Sequence, residues 1–326
     1  MSTAKEPSEK DGKEEDQDLV YERIKNSDFK QQRLPAWRPV PTLCSSIIIF
    51  EAFGAVFIGV GILLLIFSSK VKEVKTKYID DQITINIEIK EDMEAPIIIY
   101  YQLNGAYQNH RRYMKSKSID QLHGKSFTLK EMKDTEECDP VYTNKDMGKT
   151  KNYDGGELDP NELAVPCGLM AKNYFNDDFT EWKLESGRSL NISQTGIAWK
   201  SDKEIIYKNT ADKSKQWIDM KNEHFIIWMR PSLTPDFRKK WGIITENLTK
   251  GDVITVTVEN NYKVGGYKGE KYIILSTMTK LGGKHVFLGI SYIVVGGLSI
   301  ACAVLFVVFT MLGDKKEEGV ERIENN

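Results

Sequence analysis

The 326-residue chain carries 45 basic and 47 acidic residues, so its charges nearly cancel. That balance excludes the broad electrostatic footprint of a nucleic-acid-binding protein, and no nucleic-acid partner is expected. Mean hydropathy is negative, yet two blocks, residues 43–67 and 286–312, hold a large share of the apolar residues.

Residues 1–20 contain seven acids and three lysines with almost no large apolar side chain. Such a composition cannot offset the entropy of ordering, and the segment reads as a disordered start to a cytosolic tail over 1–42. Pro35, Pro39 and Pro41 then stiffen the approach to the first apolar block, with Trp37 placed where an interfacial ring would sit.

Each block exceeds the roughly 20 apolar residues that a bilayer-spanning helix needs. The first contains Glu51, which by insertion scales costs about 2.5–3.5 kcal/mol at a helix centre. Its sixteen Leu, Ile, Phe and Val residues return about 0.3–0.6 kcal/mol each, so the span is favoured. It starts more than forty residues in and lacks a small-residue cleavage site, which argues for an anchor over a signal peptide. The expected organisation is a cytosolic tail (1–42), a first span (43–67), a lumenal or extracellular ectodomain (68–285), a second span (286–312) and a second cytosolic tail (313–326).

Basic residues do not orient the spans, because Lys25, Lys30, Arg33 and Arg38 before the first are matched by Lys70, Lys72, Lys75 and Lys77 after it. Orientation comes from elsewhere. The sequons Asn191-Ile192-Ser193 and Asn247-Leu248-Thr249 lie between the spans, as do Cys138 and Cys167, the two cysteines outside them. Glycan acceptors together with an even cysteine pair favour an oxidising, lumenal middle.

Within the middle section, Ile83, Ile85, Ile87 and Ile89 alternate with Thr84, Asn86 and Glu88, a period of two that predicts a half-buried strand. Residues 95–101, 223–229, 253–259 and 272–278 are rich in β-branched or aromatic residues and read the same way. Residues 120–222 are polar and punctuated by Gly155-Gly156, Pro160 and Pro166, predicting long loops and short helices. The fold class expected is an integral membrane α+β protein, with two transmembrane helices carrying a mainly antiparallel β ectodomain.

No catalytic, metal or cofactor constellation emerges. Gly148-Lys149-Thr150 resembles the end of a phosphate-binding loop, but Thr143 stands where the pattern needs glycine. The histidines His110, His123, His224 and His285 show no metal-ligand spacing. The acid pairs Asp80-Asp81 and Asp177-Asp178 read as solvated loops, because adjacent strand residues point to opposite faces. His110, Arg111 and Arg112, flanked by Tyr107 and Tyr113, form a basic cluster suited to lipid phosphates or to an acidic loop of a partner. Ala55 with Gly59, and Gly297 with Ala301, are small pairs that permit close helix approach.

Several longer segments carry a family resemblance. KQQRLPAWRP (30–39), YQNHRRY (107–113), VPCG (165–168), GIAWKSDK (196–203), FIIWMR (225–230) and LGGKHVFLGISY (281–292) occur in order. They resemble the cell-division-control-protein-fifty family, also called the ligand-effect-modulator-three family. The resemblance implies a non-catalytic beta subunit of a type-IV P-type ATPase that flips phospholipids, with no cofactor. Such a subunit is needed for endoplasmic-reticulum exit, stability and activity of the pump, in the endoplasmic reticulum, Golgi, endosomes or plasma membrane. It also implies that Cys138 and Cys167 pair as a disulfide, that Asn191 and Asn247 carry glycans, and that membrane lipids surround the spans. Contacts with the ATPase are expected from Lys30, Arg33 and Trp37 and from Tyr107, His110, Arg111 and Arg112. Two departures stand out: residues 68–137 hold no cysteine, and Asp178 removes the sequon that family members often carry at Asn176. On composition alone, a two-pass lipid-binding receptor or a channel-like protein is the alternative.

Overall fold

A computed structural model describes residues 21, 23, 25–33, 42–279 and 281–324. The acidic tail, the prolines at 35, 39 and 41, and Trp37 lie outside the described residues. The chain divides into two units, one formed by 1–58 with 294–326 and the other by 59–293.

Helix α1 covers Leu43–Ser69, and the last helix, α8, covers Val286–Glu324 with its apolar stretch at Val286–Leu312. Most of their large apolar side chains are exposed, which suits a hydrocarbon surround. α8 continues past the apolar stretch into the predicted tail. In the first unit a Cβ on Gly54 would fall 2.9 Å from the Gly296 carbonyl oxygen and 2.5 Å from Ile300. In the second unit Gly61 stands in the same relation to the Gly289 carbonyl, also at 2.9 Å. Glycine permits backbone contact that any side chain would block. The small residues singled out from the sequence are not the ones used: Ala55, Gly59, Gly297 and Ala301 are exposed, and nothing lies within 4 Å of the Cβ positions of Gly59 and Gly297.

The second unit is built on two antiparallel sheets. Strands β1 (Glu73–Tyr78), β3 (Ile97–Asn104), β5 (Ile192–Ser193), β6 (Phe237–Ile244) and β8 (Glu270–Thr277) form one, in the order β1-β8-β3-β6-β5. Strands β2 (Thr84–Glu88), β4 (Asp178–Leu184) and β7 (Val253–Glu259) form the other, in the order β2-β7-β4. The alternation read in the isoleucines is real, since Ile85, Ile87 and Ile89 are buried while Thr84, Asn86 and Glu88 are exposed. Ile83 breaks the pattern by lying exposed just before β2. The β7 range matches the expectation, and β3 and β8 are shifted by one to three residues. Tyr78 of β1 meets Phe179 of β4 edge to face, and Phe179 and Trp182 pack on Trp241 of β6. The inner faces of both sheets thereby share one core.

Residues 223–229 are not a strand but a helix, α7 (Glu223–Met229). The Asn222 side chain accepts from the backbone N–H groups of His224 and Phe225, satisfying donors at the helix start. Phe225, Ile226, Trp228 and Met229 are buried, a helical spacing that a short apolar run conceals.

Residues 120–222 contain the expected short helices but also β4 and β5. Upstream lies α2 (Arg111–Lys115), followed by α3 (Ile119–Leu122), α4 (Leu129–Thr135), α5 (Asn144–Met147) and α6 (Leu169–Lys172). Capping boxes start two of them: Thr128 with Glu131 at α4, and Thr143 with Asp146 at α5. β4 escapes the sequence reading because acids and lysines dominate its outer face, while Phe179, Trp182 and Leu184 turn inward.

Candidate functional site

The most deeply buried charges lie between the sheets. Lys271 of β8 is at an inward position with a fully buried side chain. Its ammonium donates to Asp177 Oδ2 at 2.9 Å, to Asn260 Oδ1 at 2.5 Å and to the Tyr262 carbonyl at 2.6 Å. Asp80 lies 3.2 Å away, and Tyr78 donates its hydroxyl to Asp177 at 3.0 Å. Partial burial pushes the Asp80 carboxyl up, but the Gly265 N–H and Lys271 outweigh it and hold the group below its usual range. The acid pairs read as solvated loops are therefore split: Asp177 is buried in the ion cluster and Asp178 stays at the surface. Alternation had the adjacent side chains diverging, and the inward member found a lysine.

A second set of ions fixes the segment 196–203. Glu223, at the first turn of α7, accepts from the N–H groups of Ile197 and Ala198 at 2.8 and 3.0 Å, and from the Lys203 ammonium. Burial raises its pKa, but the backbone donors and Lys203 overcome that and bring it to about 2. Buried Asp202 pairs with Arg230 just after α7, at 2.8 Å to one guanidinium nitrogen. The Arg230 guanidinium also lies over Trp199, which is 67 % exposed. Beneath, the Lys239 ammonium donates to the carbonyls of Ile227, Trp228 and Arg230 at 2.9, 3.0 and 2.5 Å, and burial lowers its pKa to about 7.

The segment 107–113 is a surface feature with a buried root. Tyr107, His110, Arg111 and Arg112 are exposed, and Arg112 lies 3.7 Å from the exposed Asp139 carboxylate. An ion pair that open to water contributes little to folding, which leaves the arginines available for other contacts. Tyr113, in contrast, packs against the core. Behind Tyr107 lies a cavity of about 230 Å³ bounded by Gln108, Tyr113, Trp228, Tyr262 and Tyr267.

Other expected site residues are dispersed. Cys138 and Cys167 are bonded as a disulfide, with Cα atoms 5.7 Å apart and both residues buried. Cys44 and Cys302 are free thiols in the two apolar helices. Asn191 and Asn247 are exposed near one end of the five-stranded sheet, where Ile192 pairs with Ile244 and the Asn191 N–H reaches Glu246. Asn247 Oδ1 accepts from the Ala95 N–H at 2.8 Å, which orients the side chain. Lys30 and Arg33 are exposed, and Trp37 is outside the described residues. Gly148 caps α5 in a left-handed conformation, and Lys149 rests over the Trp217 ring. Among the described residues no group of three or more metal-ligating side chains is assembled. The ionic residues Asp177, Lys271, Asp202, Glu223 and Arg230 were missed as a set. One signal was available: a lysine at an inward strand position needs buried acceptors, a carboxylate in the case of Lys271 and three carbonyls in that of Lys239.

Two membrane-spanning helices that carry an antiparallel β ectodomain, stapled by a disulfide and by buried ion clusters, define a two-pass membrane protein. The model of the LEM3 (ligand-effect modulator 3) family / CDC50 family matches residues 13–316, and the chain belongs to that family. It is 38 % identical to the Arabidopsis thaliana protein described as putative ALA-interacting subunit 2, covering 86 % of each chain. It is 29 % identical to cell cycle control protein 50A of Bos taurus over 88 % of each chain. To cell cycle control protein 50B of Homo sapiens it is 28 % identical, over 91 % of this chain and 96 % of the relative.

Proposed function

We propose that this chain is the non-catalytic accessory subunit of a phospholipid-flipping P-type ATPase, required for the pump's endoplasmic-reticulum exit, stability and transport activity. The observation that carries the reading is family membership across nearly the whole chain, with plant relatives described as ALA-interacting subunits. The fold supports it: a large ectodomain on two spans offers broad surfaces, and its buried charges hold loops in place.

In this reading both termini are cytosolic and residues 68–285 are lumenal or extracellular, with glycans on Asn191 and Asn247. The exposure of both asparagines supports that assignment. Lys30, Arg33 and Trp37 contact the pump on the cytosolic side, and Tyr107, His110, Arg111 and Arg112 contact it outside. Affinity purification in mild detergent followed by mass spectrometry of the bound proteins tests the reading. A P-type ATPase is expected to co-purify in near-equal amount. ATP-driven lipid movement by this chain reconstituted alone would overturn it.

A further inference from the structure

A cavity of about 360 Å³ opens where β6 meets the segment 196–203 and the chain leaving α7, and none of the expected pump contacts lines it. Its walls include Tyr100, Trp199, Arg230, Arg238, Lys239 and Lys240, and no carboxylate is among the described residues that line it. Lys239 is taken up by three backbone carbonyls. The other three cations reach the surface: the side chains of Arg230 and Arg238 are 53 % and 35 % exposed, and Lys240 is half-buried at an outward position of β6. Asp202 accepts from Nε and Nη2 of Arg230, and Glu73 accepts from Nη1 of Arg238 at 2.9 Å, so Arg230 Nη1 and Arg238 Nη2 stand outside these pairs. Each guanidinium also lies over a ring, Arg230 over Trp199 at 5.5 Å and Arg238 over Tyr100 at 5.1 Å. A guanidinium held by a carboxylate and a ring, yet partly open to solvent, is a pre-set donor for phosphate oxygens.

Position selects the kind of anion. Arg238 Nη2 lies 3.7 Å from the point where a Cβ on Gly283 would stand, and Gly283 precedes the apolar stretch Val286–Leu312 by three residues. Three residues of chain reach at most about 11 Å, and the headgroup layer on each side of a bilayer is about 5–8 Å deep. The ends of the two helices are level here, because Ser68 Oγ of α1 accepts from the His285 N–H at 3.0 Å just before α8. Lys70 and Lys284, both exposed, flank that junction, and the Lys70 ammonium lies over the Phe67 ring at the end of the first span. The Arg238 end of the cavity therefore stands at headgroup level or just beyond it, beside a basic collar around the helix ends. A volume of this size falls at the small end of ligand sites, about 300–1,000 Å³, and suits a headgroup in place of a whole lipid.

We propose that this cavity holds the headgroup of an anionic phospholipid from the leaflet on the ectodomain side, with its phosphate between Arg238 and Lys240 and the rest of the headgroup toward Arg230 and Trp199. Arg238 and Lys240 are two residues apart on one strand, so both project from the same face of β6. The inference rests on the two spans and not on the assembly reading, which is judged by co-purification of the pump.

The test uses the full chain in nanodiscs of phosphatidylcholine and phosphatidylglycerol in equal shares, released into a native mass spectrometer and scored for retained lipid. The native chain is expected to keep phosphatidylglycerol in preference to phosphatidylcholine. Arg238→Gln with Lys240→Gln is expected to lower that retention about fivefold or more, since one cation near an anionic surface contributes roughly fivefold. Glu73→Gln is expected to raise it, because Arg238 Nη1 is then released to the ligand. Opposite signs in the two variants separate a lipid site from a structural Arg238–Glu73 pair, whose loss from either side would act alike. Cationic residues on the far side of the membrane are the same in all three chains and cancel in the comparison. Equal phosphatidylglycerol retention in the native chain and the double variant would overturn the proposal, as would a fall in both variants. Displacement of the lipid by millimolar glycerol phosphate would also overturn it, by assigning the cavity to a soluble anion.

Discussion

The paired sheets and the long excursion between β3 and β6, residues 105–236, are held by different forces. In the sheets, alternate residues such as Ile97, Ile99, Ile254, Val256 and Leu275 are fully buried, and ladder hydrogen bonds satisfy the backbone. The excursion contributes β4 and β5 to the sheets but is otherwise irregular, so side chains must take over what a ladder supplies. Trp217 donates to the Pro166 carbonyl, Trp228 to that of Met170, and Gln121 both donates to Ala164 and accepts from the Cys167 N–H. Methionines 132, 147, 170 and 220 fill its interior, as an irregular space favours flexible apolar side chains. Regular structure therefore rests on apolar area, whereas the excursion rests on a network in which single groups matter. Two inward lysines are exceptions within the sheets: Lys239, held by backbone carbonyls, and the ion-paired Lys271.

The ion-paired exception gives the largest expected effect. Lys271→Met leaves Asp177 buried without its cation, which costs about 3–5 kcal/mol when a buried pair loses one partner. Chemical denaturation of the purified chain measures it. Adding Asp177→Leu to Lys271→Met is expected to recover much of the loss, because two apolar groups need no mutual compensation. If the single variant is as stable as the native chain, the buried pair adds nothing to the apolar area there and that exception disappears.

Next comes the disulfide. Replacing Cys138 and Cys167 by alanine opens a loop of 29 residues in sequence separation, a change worth roughly 3–4 kcal/mol by chain entropy. Hydrogen exchange sharpens the comparison. Protection is expected to fall around 116–168 while β3 and β8 keep theirs, and an equal loss in both would show that the two regions unfold as one.

Acid titration separates them again. Glu223 has a folded pKa of about 2 against an ordinary value of 4.5. A depressed carboxyl stabilises the fold above the unfolded pKa, and that contribution drains away as pH falls from about 4.5 through about 2. The difference corresponds to roughly 3 kcal/mol at most. Thermal melts across this range are expected to show a steep loss for the native chain and a shallower one for Glu223→Gln, which cannot titrate. Parallel curves would remove Glu223 from the network.

The regular part of the molecule was the legible part. β2 follows from alternation in Ile85 and Ile87, β7 from its β-branched residues, and the spans from length and apolarity. β1 and β6 stayed hidden because charged residues, Glu73, Lys75 and Lys77 in β1 and Arg238 and Lys240 in β6, take outward positions, and in β6 the inward Lys239 also disguises the pattern. α7 was misread because β-branched and aromatic residues outweighed the Asn222 cap, which is a one-residue signal. In the site, the exposed basic cluster was visible in sequence, since its charges are adjacent along the chain. The buried pairs were not, because Asp177 and Lys271 are 94 residues apart and only the folded sheets bring them together.

The smallest effect on folding is expected where the largest effect on assembly is proposed. Arg111 and Arg112 stand on α2 with their charged ends in solvent, and the ion pair of Arg112 with Asp139 is open to water. Substituting both by serine is expected to change stability by no more than about 0.5 kcal/mol, as for surface positions generally. Neither side chain supports the excursion in the way that Glu223 or Asp202 does. A contact with an acidic loop of a pump, however, would lose two strong hydrogen-bonding cations at once. Co-purification of the ATPase is therefore expected to drop while the melting curve and the disulfide stay unchanged. Loss of both together would place the cluster within the stabilising network, and loss of neither would remove it from the assembly surface.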